Sequence, residues 1–167
     1  KLPFPDRWLT GGLGGMCIDN RDHVFILNRG NVTPEDLDGA SLAPPVIEFD
    51  PDGNVVGSWG NHALLGDRLH DCHVDRDQNV WIVASGTGRV QKYSNDGSEL
   101  LLQLGESDTY DSSDGTREGR PLNSNRAQFF LPASIDIDAE TGDIYVADGE
   151  LPGGNQRLAV LYRDGRF

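Results

Sequence analysis

The sequence predicts an all-β protein, and three observations support that prediction. The 21 glycines of the chain cluster with Asp and Asn, which is typical of a protein with many tight turns. Apolar and polar residues alternate in short runs, as in half-buried strands, and long helical periodicity is absent. Two kinds of hairpin-like segment recur along the chain, which indicates a repeat architecture. Together these observations predict a β-propeller built from four-stranded antiparallel blades.

The first recurring segment is an apolar strand that ends in Asp, followed by a short polar turn and a second apolar strand. It reads MCIDNRDHVFIL at 16–27, CHVDRDQNVWIV at 72–83 and SIDIDAETGDIYVA at 134–147. Its period exceeds the roughly 40 to 50 residues that are typical of propeller blades. Two loops, at 31–44 and 107–126, account for the excess.

The second recurring segment is a strand that ends in an aromatic residue, then a turn with Asp-Gly, then another strand. It reads VIEFDPDGNVVGSWG at 46–60, VQKYSNDGSELLLQLG at 90–105 and AVLYRDGRF at 159–167. Asp-Gly supplies the positive φ that tight hairpins need, and two successive hairpins make one four-stranded meander. The innermost strand of the first blade begins GGMCID, where small residues permit crowding near the propeller axis.

The repeats divide residues 1–167 into three blades of a partial propeller, at about 11–60, 68–105 and 130–167, the last without its outermost strand. Three blades of ordinary wedge angle do not close a ring, so we expect half of a six-bladed propeller. The missing blades would come from the rest of the chain or from a second chain. Because each end of the isolated array would be apolar, we do not expect a stable monomer of 167 residues. A small β-sandwich is the alternative, but the repeated hairpins favour the propeller.

The composition limits the partners and the compartment. The formal net charge of −13 would repel nucleic acid, and no apolar run approaches the length of a membrane span. The chain starts at Lys1 rather than Met, which is compatible with removal of a leader, and we expect a secreted or periplasmic protein. Cys17 and Cys72 are too few for a disulfide framework. They could pair if neighbouring inner strands bring them together, or they could remain two buried free thiols.

Five segments carry a family resemblance: VFILNRGN at 24–31, PPVIEFDPDGNVVGSWG at 44–60, LHDCHVDRDQNVWIV at 69–83, LLLQLGESD at 100–108 and TGDIYVADG at 141–149. They resemble NHL repeats, and their order is similar to that in the catalytic propeller of the peptidyl-α-hydroxyglycine α-amidating lyases. The resemblance extends from about Gly12 to Phe167 and covers the first half of that family's six-bladed domain.

The resemblance implies a fold, an activity and a set of site residues. Members of the family cleave a peptide extended by α-hydroxyglycine into an amidated peptide and glyoxylate. They hold zinc with three histidines in the central channel, bind calcium nearby, and use an Arg and a Tyr at the substrate. Arg29 lies where the family has its catalytic arginine, and His70 lies where it has its first zinc histidine. The calcium is partly held by main-chain carbonyls, which correspond to Met16 and Cys72.

This sequence departs from the family pattern in two places. Glu150 stands where the family has its tyrosine, and we interpret Glu150 as a possible base. The other two zinc histidines belong to blades that lie outside this sequence, and one histidine alone does not make a zinc site. The resemblance therefore predicts Arg29 and Glu150 as catalytic residues, His70, Met16 and Cys72 as metal ligands, and zinc and calcium as cofactors.

The other three histidines are weaker candidates for metal ligands. His73 alternates with Cys72 on an inner strand and could face either the channel or a blade interface. His23 falls in a predicted turn and His62 in a predicted loop, so we expect both to be solvated.

Two acidic stretches are predicted to be structural. The segment DTYDSSDGTREG at 108–119 contains Asp108, Asp111 and Asp114, but their spacing misses the pattern of a calcium loop and favours a polar loop at the rim. Asp148 precedes a glycine at a strand end, which is typical of a residue that forms a turn.

Two functional hypotheses from different classes follow. The first is an amidating-lyase-like enzyme with a metal-binding channel that acts on α-hydroxyglycine-type or related carboxylate-bearing substrates. The second is a non-catalytic extracellular propeller that binds a peptide or a protein on its rim. Retention of Arg29 and His70 favours the enzyme, and loss of the tyrosine favours the binding platform. A sugar-lactone hydrolase would require acidic ligands in the channel, and the inner strands show few.

Overall fold

The computed structural model describes residues 4–167, so Lys1 and the two residues after it lie outside the described part. The strands are β1 Trp8–Leu9, β2 Leu13–Ile18, β3 Val24–Asn28, β4 Ser41–Leu42, β5 Val46–Phe49, β6 Val55–Trp59, β7 Leu69–Val74, β8 Val80–Ala84, β9 Arg89–Tyr93, β10 Leu100–Leu104, β11 Pro132–Ile137, β12 Ile144–Asp148 and β13 Arg157–Leu161. A short helix, α1 His62–Leu65, and the 3₁₀ turns Pro5–Arg7 and Ser85–Thr87 complete the regular structure.

Three antiparallel sheets form three blades of a partial β-propeller, as the repeats predict. Their strand orders are β2-β3-β5-β6, β7-β8-β9-β10 and β11-β12-β13, so every neighbour within a blade is also the next long strand along the chain. A two-stranded parallel ribbon of β1 and β4 is the only other sheet in the described residues. No helix within residues 4–167 is long and apolar enough to cross a membrane.

The inner strands of neighbouring blades lie against each other, with β7 between β2 and β11. The approach of β2 to β7 is so close that a Cβ on Gly14 would lie 2.0 Å from the Leu69 carbonyl oxygen. A Cβ on Gly15 would lie 2.9 Å from the carbonyl oxygen of His70. The prediction that small residues permit crowding near the axis is therefore confirmed.

A disulfide joins the same two inner strands. Cys17 on β2 is bonded to Cys72 on β7, with a Cα–Cα distance of 5.6 Å. Both residues are buried in the apolar core between the first two blades, beside Phe25 and Leu27. Of the two alternatives that the sequence left open, the pairing is the one observed, because the register of β2 against β7 brings the two sulfur atoms together.

Apolar side chains fill the two blade interfaces and also remain exposed on the end blades. Trp81 and Val83 of the second blade pack against Ile144 and Val146 of the third. On the outward sides of the array, several large apolar residues are exposed on β2 and on or beside β13: Leu13, Met16, Ile18, Leu158, Val160 and Tyr162. Exposed apolar surface at both ends is what a propeller shows where further blades would pack.

Candidate functional site

The side chains that the sequence predicts to be catalytic or metal-binding through Arg, His and Glu lie along one edge of the sheets. In each blade the first long strand begins at this edge and the second ends there, because the strands are antiparallel. Arg29 follows the end of β3, His70 lies at the start of β7 and Glu150 follows the end of β12. Together with Arg68, which directly precedes β7, these residues form what we call the mouth cluster.

Arg29 is held against the inner strand of the second blade. Its Nε donates a hydrogen bond of 3.0 Å to the Leu69 carbonyl, and its backbone N–H donates to Gly12. Gly14 leaves room for the side chain, because a Cβ there would lie 3.4 Å from Arg29 Nε. The terminal nitrogens of Arg29 have no partner among the described residues, so the guanidinium edge is free to bind a ligand.

His70 and Glu150 connect the second blade to the third. His70 Nδ1 lies 2.8 Å from the Ala133 carbonyl oxygen, and its Nε2 lies 3.0 Å from Glu150 Oε1. Arg68 donates a hydrogen bond of 2.6 Å to the other oxygen of Glu150. Burial by itself raises the pKa of Glu150, but the hydrogen bonds from Arg68 and His70 outweigh it and hold that pKa below its usual value. Glu150 is therefore ionised at neutral pH.

The orientation of His70 is compatible with the zinc ligation that the family resemblance predicts. The Nδ1–H of His70 donates a hydrogen bond to the Ala133 carbonyl, which is the arrangement that directs Nε2 of a histidine toward a metal. Oε1 of Glu150 lies 3.0 Å from that Nε2, so a carboxylate stands beside the position that a metal ion on His70 would take. Zinc normally takes three or four protein ligands, and residues 4–167 place no third ligand side chain at the mouth cluster.

The two predicted main-chain calcium ligands lie on adjacent inner strands. Met16 on β2 exposes its side chain, whereas the Cys72 side chain on β7 is consumed by the disulfide. Neither observation involves the carbonyl oxygens, so the calcium site stays a prediction.

The other histidines are less solvated than the sequence suggests. The His23 side chain is 19% exposed and its Nδ1 lies 2.7 Å from Glu48 Oε1, while His62 begins the short helix α1 and its Nε2 lies 3.0 Å from the Ala43 carbonyl oxygen. The expectation that both are solvated is wrong, since each ring packs onto a neighbouring segment of the first blade. His73 bridges two inner strands, with its Nδ1 3.2 Å from an Asp136 oxygen on β11.

Asp148 is buried and accepts hydrogen bonds from three other residues, so it does more than form a turn. It is 1% exposed, and its oxygens accept hydrogen bonds from Phe130 N–H, Asn155 and Arg157. Asp111 of the long loop shares two of these partners, with an oxygen 3.1 Å from Asn155 Nδ2 and 3.3 Å from an Arg157 nitrogen. The loop is thus fastened to the third blade.

Sequence reasoning missed Arg68, Asn155 and Arg157. Arg68 stands two residues before His70, and alternation along an extended segment was a signal that could have paired them. Asn155 and Arg157 gave no comparable signal, because their carboxylate partner Asp111 comes from a loop more than forty residues earlier in the chain.

Comparisons with known proteins agree with the fold. No family model matches the chain. The chain is 28% identical over 167 residues to the human NHL repeat-containing protein 3, covering 97% of this chain and 42% of that protein. It is 24% identical over 171 residues to peptidyl-glycine alpha-amidating monooxygenase B of Xenopus laevis, covering 95% of this chain and 18% of that protein.

A solved structure shows the same architecture. A luciferin-regenerating enzyme superposes with a TM-score of 0.51 and 11% identity over 83% of this chain and 38% of that chain. The chain therefore spans less than half the length of each of these proteins. The similarities support an NHL-type β-propeller.

Proposed function

We propose that the mouth cluster binds the carboxylate of an α-hydroxyglycine-type peptide and that the propeller is an amidating-lyase-like enzyme. The free guanidinium edge of Arg29 is the observation that carries the proposal. A guanidinium offers two parallel donors that match a carboxylate, and Arg29 is already oriented by its bond to the Leu69 carbonyl. Sequence similarity to a peptidyl-glycine alpha-amidating monooxygenase over 95% of the chain supports a ligand related to peptidyl-glycine.

The chemistry requires a proton acceptor at the hydroxyl group of the ligand. In the proposed reaction the hydroxyl proton leaves, the C–N bond of the α-hydroxyglycine breaks, and the nitrogen gains a proton to give an amide and glyoxylate. Glu150, an ionised carboxylate 3.0 Å from His70, is the proposed acceptor of the first proton. A zinc ion held by His70 Nε2, with further ligands from other blades, would lower the pKa of that hydroxyl group. The Met16 and Cys72 carbonyls remain the proposed calcium ligands.

The proposal includes a compartment and an assembly. The Cys17–Cys72 disulfide supports an oxidising environment, and we therefore include a secreted or periplasmic location. The exposed apolar side chains of the end blades support further blades, from the same chain or from a second one.

Arg29→Ala is expected to weaken binding of a peptidyl-α-hydroxyglycine by about 10- to 30-fold, because two charge-assisted hydrogen bonds are lost. Binding is measured by calorimetry on the full chain, and turnover by release of glyoxylate. Arg166→Ala is the matched control, since Arg166 is 75% exposed beside Asp164 in the last turn. Equal affinity of the Arg29→Ala and control variants would contradict the proposed role of Arg29.

The pH dependence of turnover tests Glu150. A base whose pKa lies below the usual 4.5 stays deprotonated at lower pH, so the acidic limb of kcat/KM is expected to have its midpoint below that value. Glu150→Gln is expected to abolish this limb together with most of the turnover. A limb that is centred at 6 or above, or that persists in Glu150→Gln, would assign the base to another group.

The non-catalytic platform is the second candidate. It is favoured by the incomplete set of metal ligands that the described residues place at the mouth cluster. If the full chain binds the peptide through Arg29 and releases no glyoxylate with zinc and calcium supplied, the platform replaces the enzyme.

A further inference from the structure

We propose that Asp19, His23 and Glu48 form a binding site for a divalent transition-metal ion of the zinc class. The site lies on the first blade at the edge opposite the mouth cluster. Asp19 follows β2, His23 precedes β3, and Glu48 lies near the end of β5. The proposal does not depend on the function proposed for the mouth cluster.

The three side chains present their ligand atoms to a common point. One imidazole nitrogen and two carboxylate oxygens lie within 4.8 Å of one another. The Asp19 side chain is completely buried, and those of Glu48 and His23 are 12% and 19% exposed. One imidazole with two carboxylates is a donor set that suits zinc and its neighbours in the first transition row, whereas calcium and magnesium take oxygen ligands alone.

A cationic group already lies among these ligands. The Nη2 of Arg21 is 2.5 Å from Asp19 Oδ2 and 3.0 Å from Glu48 Oε1, and it also donates to Asn95 of the second blade. The Arg21 side chain is 50% exposed, so solvent lies beside the guanidinium that a metal ion would displace. Its position marks where positive charge is stabilised, and a metal ion would replace it there.

The corresponding place in the second blade has a strand cation where the first blade has a carboxylate. There Asp75 takes the position of Asp19, and Lys92 takes the position of Glu48 in the strand register. Lys92 Nζ lies 2.8 Å from Asp75 Oδ2, so the carboxylate is neutralised by its own blade. The first blade has Glu48 at this position, so it has a negative charge where the second blade has the positive charge of Lys92.

Two more differences between the blades favour a metal site in the first blade. His23 occupies the position of Asn79, which replaces an amide by a metal-binding imidazole. Gly57 is paired with Glu48, whereas Leu102 is paired with Lys92 in the second blade. A Cβ at Gly57 would lie 2.6 Å from Glu48 Oε2, so glycine leaves the space that the carboxylate occupies.

Cobalt(II) is a suitable probe, because its visible absorption reports coordination and it accepts the same ligands as zinc. Titration of the full chain is expected to show saturable binding that Glu48→Lys, which copies the second blade, weakens by more than 10-fold. His23→Asn, which also copies the second blade, is expected to weaken binding about 10-fold. All titrations are made in the His70→Ala background, which removes the ligand nitrogen proposed at the mouth cluster. Asp164→Asn, at an exposed carboxylate of the third blade, is the control and is expected to leave this binding unchanged.

Arg21→Gln separates a metal site from a purely structural ion-pair cluster. Removal of the competing guanidinium is expected to tighten cobalt binding about 10-fold if a metal replaces Arg21. Unchanged or weaker binding in Arg21→Gln, binding that survives in both Glu48→Lys and His23→Asn, or no saturable binding below about 1 mM would each overturn the proposal. His23→Asn keeps the test valid if Glu48→Lys fails to fold, since circular dichroism reports folding in each variant.

Discussion

Replacement of Gly14 by alanine is expected to lower the free energy of unfolding by about 4 kcal/mol, because the added methyl group has no space. The new Cβ would lie 2.0 Å from the Leu69 carbonyl oxygen and 2.8 Å from its carbon. Both atoms are backbone, so the overlap is relieved only by moving β2 away from β7. That movement would also separate the blades that the Cys17–Cys72 disulfide joins.

Urea unfolding of the full chain measures this effect, and Gly12→Ala is its matched control. A Cβ at Gly12 would meet nothing closer than 3.4 Å, and neither glycine has a positive φ. The two substitutions therefore differ in steric overlap and not in backbone conformation. A loss of stability in Gly14→Ala no larger than in Gly12→Ala would show that β2 and β7 do not pack as closely as these distances require.

Replacement of Arg157 by methionine is expected to cost about 3 to 5 kcal/mol, because it leaves the buried Asp148 carboxylate without a cation and Asp111 with only the more distant Arg126. The side chains of Asp148 and Asp111 are completely buried, and Arg157 lies 3.0 Å from the first and 3.3 Å from the second. Methionine keeps much of the aliphatic stem, so the loss is chiefly electrostatic. Arg166→Met removes an exposed ion pair with Asp164 and is expected to change stability by less than about 1 kcal/mol.

The cost of Arg157→Met is expected to depend on pH. Burial is the largest influence on Asp148 and raises its pKa above the usual value, although Asn155, Phe130 N–H and Arg157 oppose that rise. A raised folded-state pKa means that the contribution of this carboxyl to stability is full below its unfolded pKa and is lost as pH rises through the folded value. Without Arg157 that pKa rises further, so the deficit should be smaller at pH 5 than at pH 7.5. Equal deficits at the two pH values would show that the carboxylates are not the source of the cost.

The polar residues at the ends of the second strands illustrate what sequence patterns miss. Asn28 and Asp148 hold equivalent positions in the first and third blades, and both are buried. Asn28 accepts hydrogen bonds from the N–H groups of Gly11 and Gly30 and donates to the Ala43 carbonyl. Asp–Gly predicted only a turn at Asp148, because local propensity does not report which distant loop folds over a strand end.

The mouth cluster was predicted in part. Arg29 and His70 were found through family resemblance, and Glu150 through the position of a missing tyrosine. Arg68 was not identified, and the contact between His70 and Glu150 joins residues 80 positions apart in the sequence. Nothing in either local segment specifies that contact, which depends on how the second and third blades pack.

The sequence by itself determined the strands, their turns and the blade repeat. Alternation with period two and the positive φ of Asp-Gly are properties of a few adjacent residues, so they can be read without the fold. Only the tertiary structure decided that Cys17 meets Cys72, that Asp148 shares Arg157 with Asp111, and that His23 faces Glu48. These contacts depend on the register between strands and on how loops pack over them. Both are set by the packing of segments that are far apart in the chain.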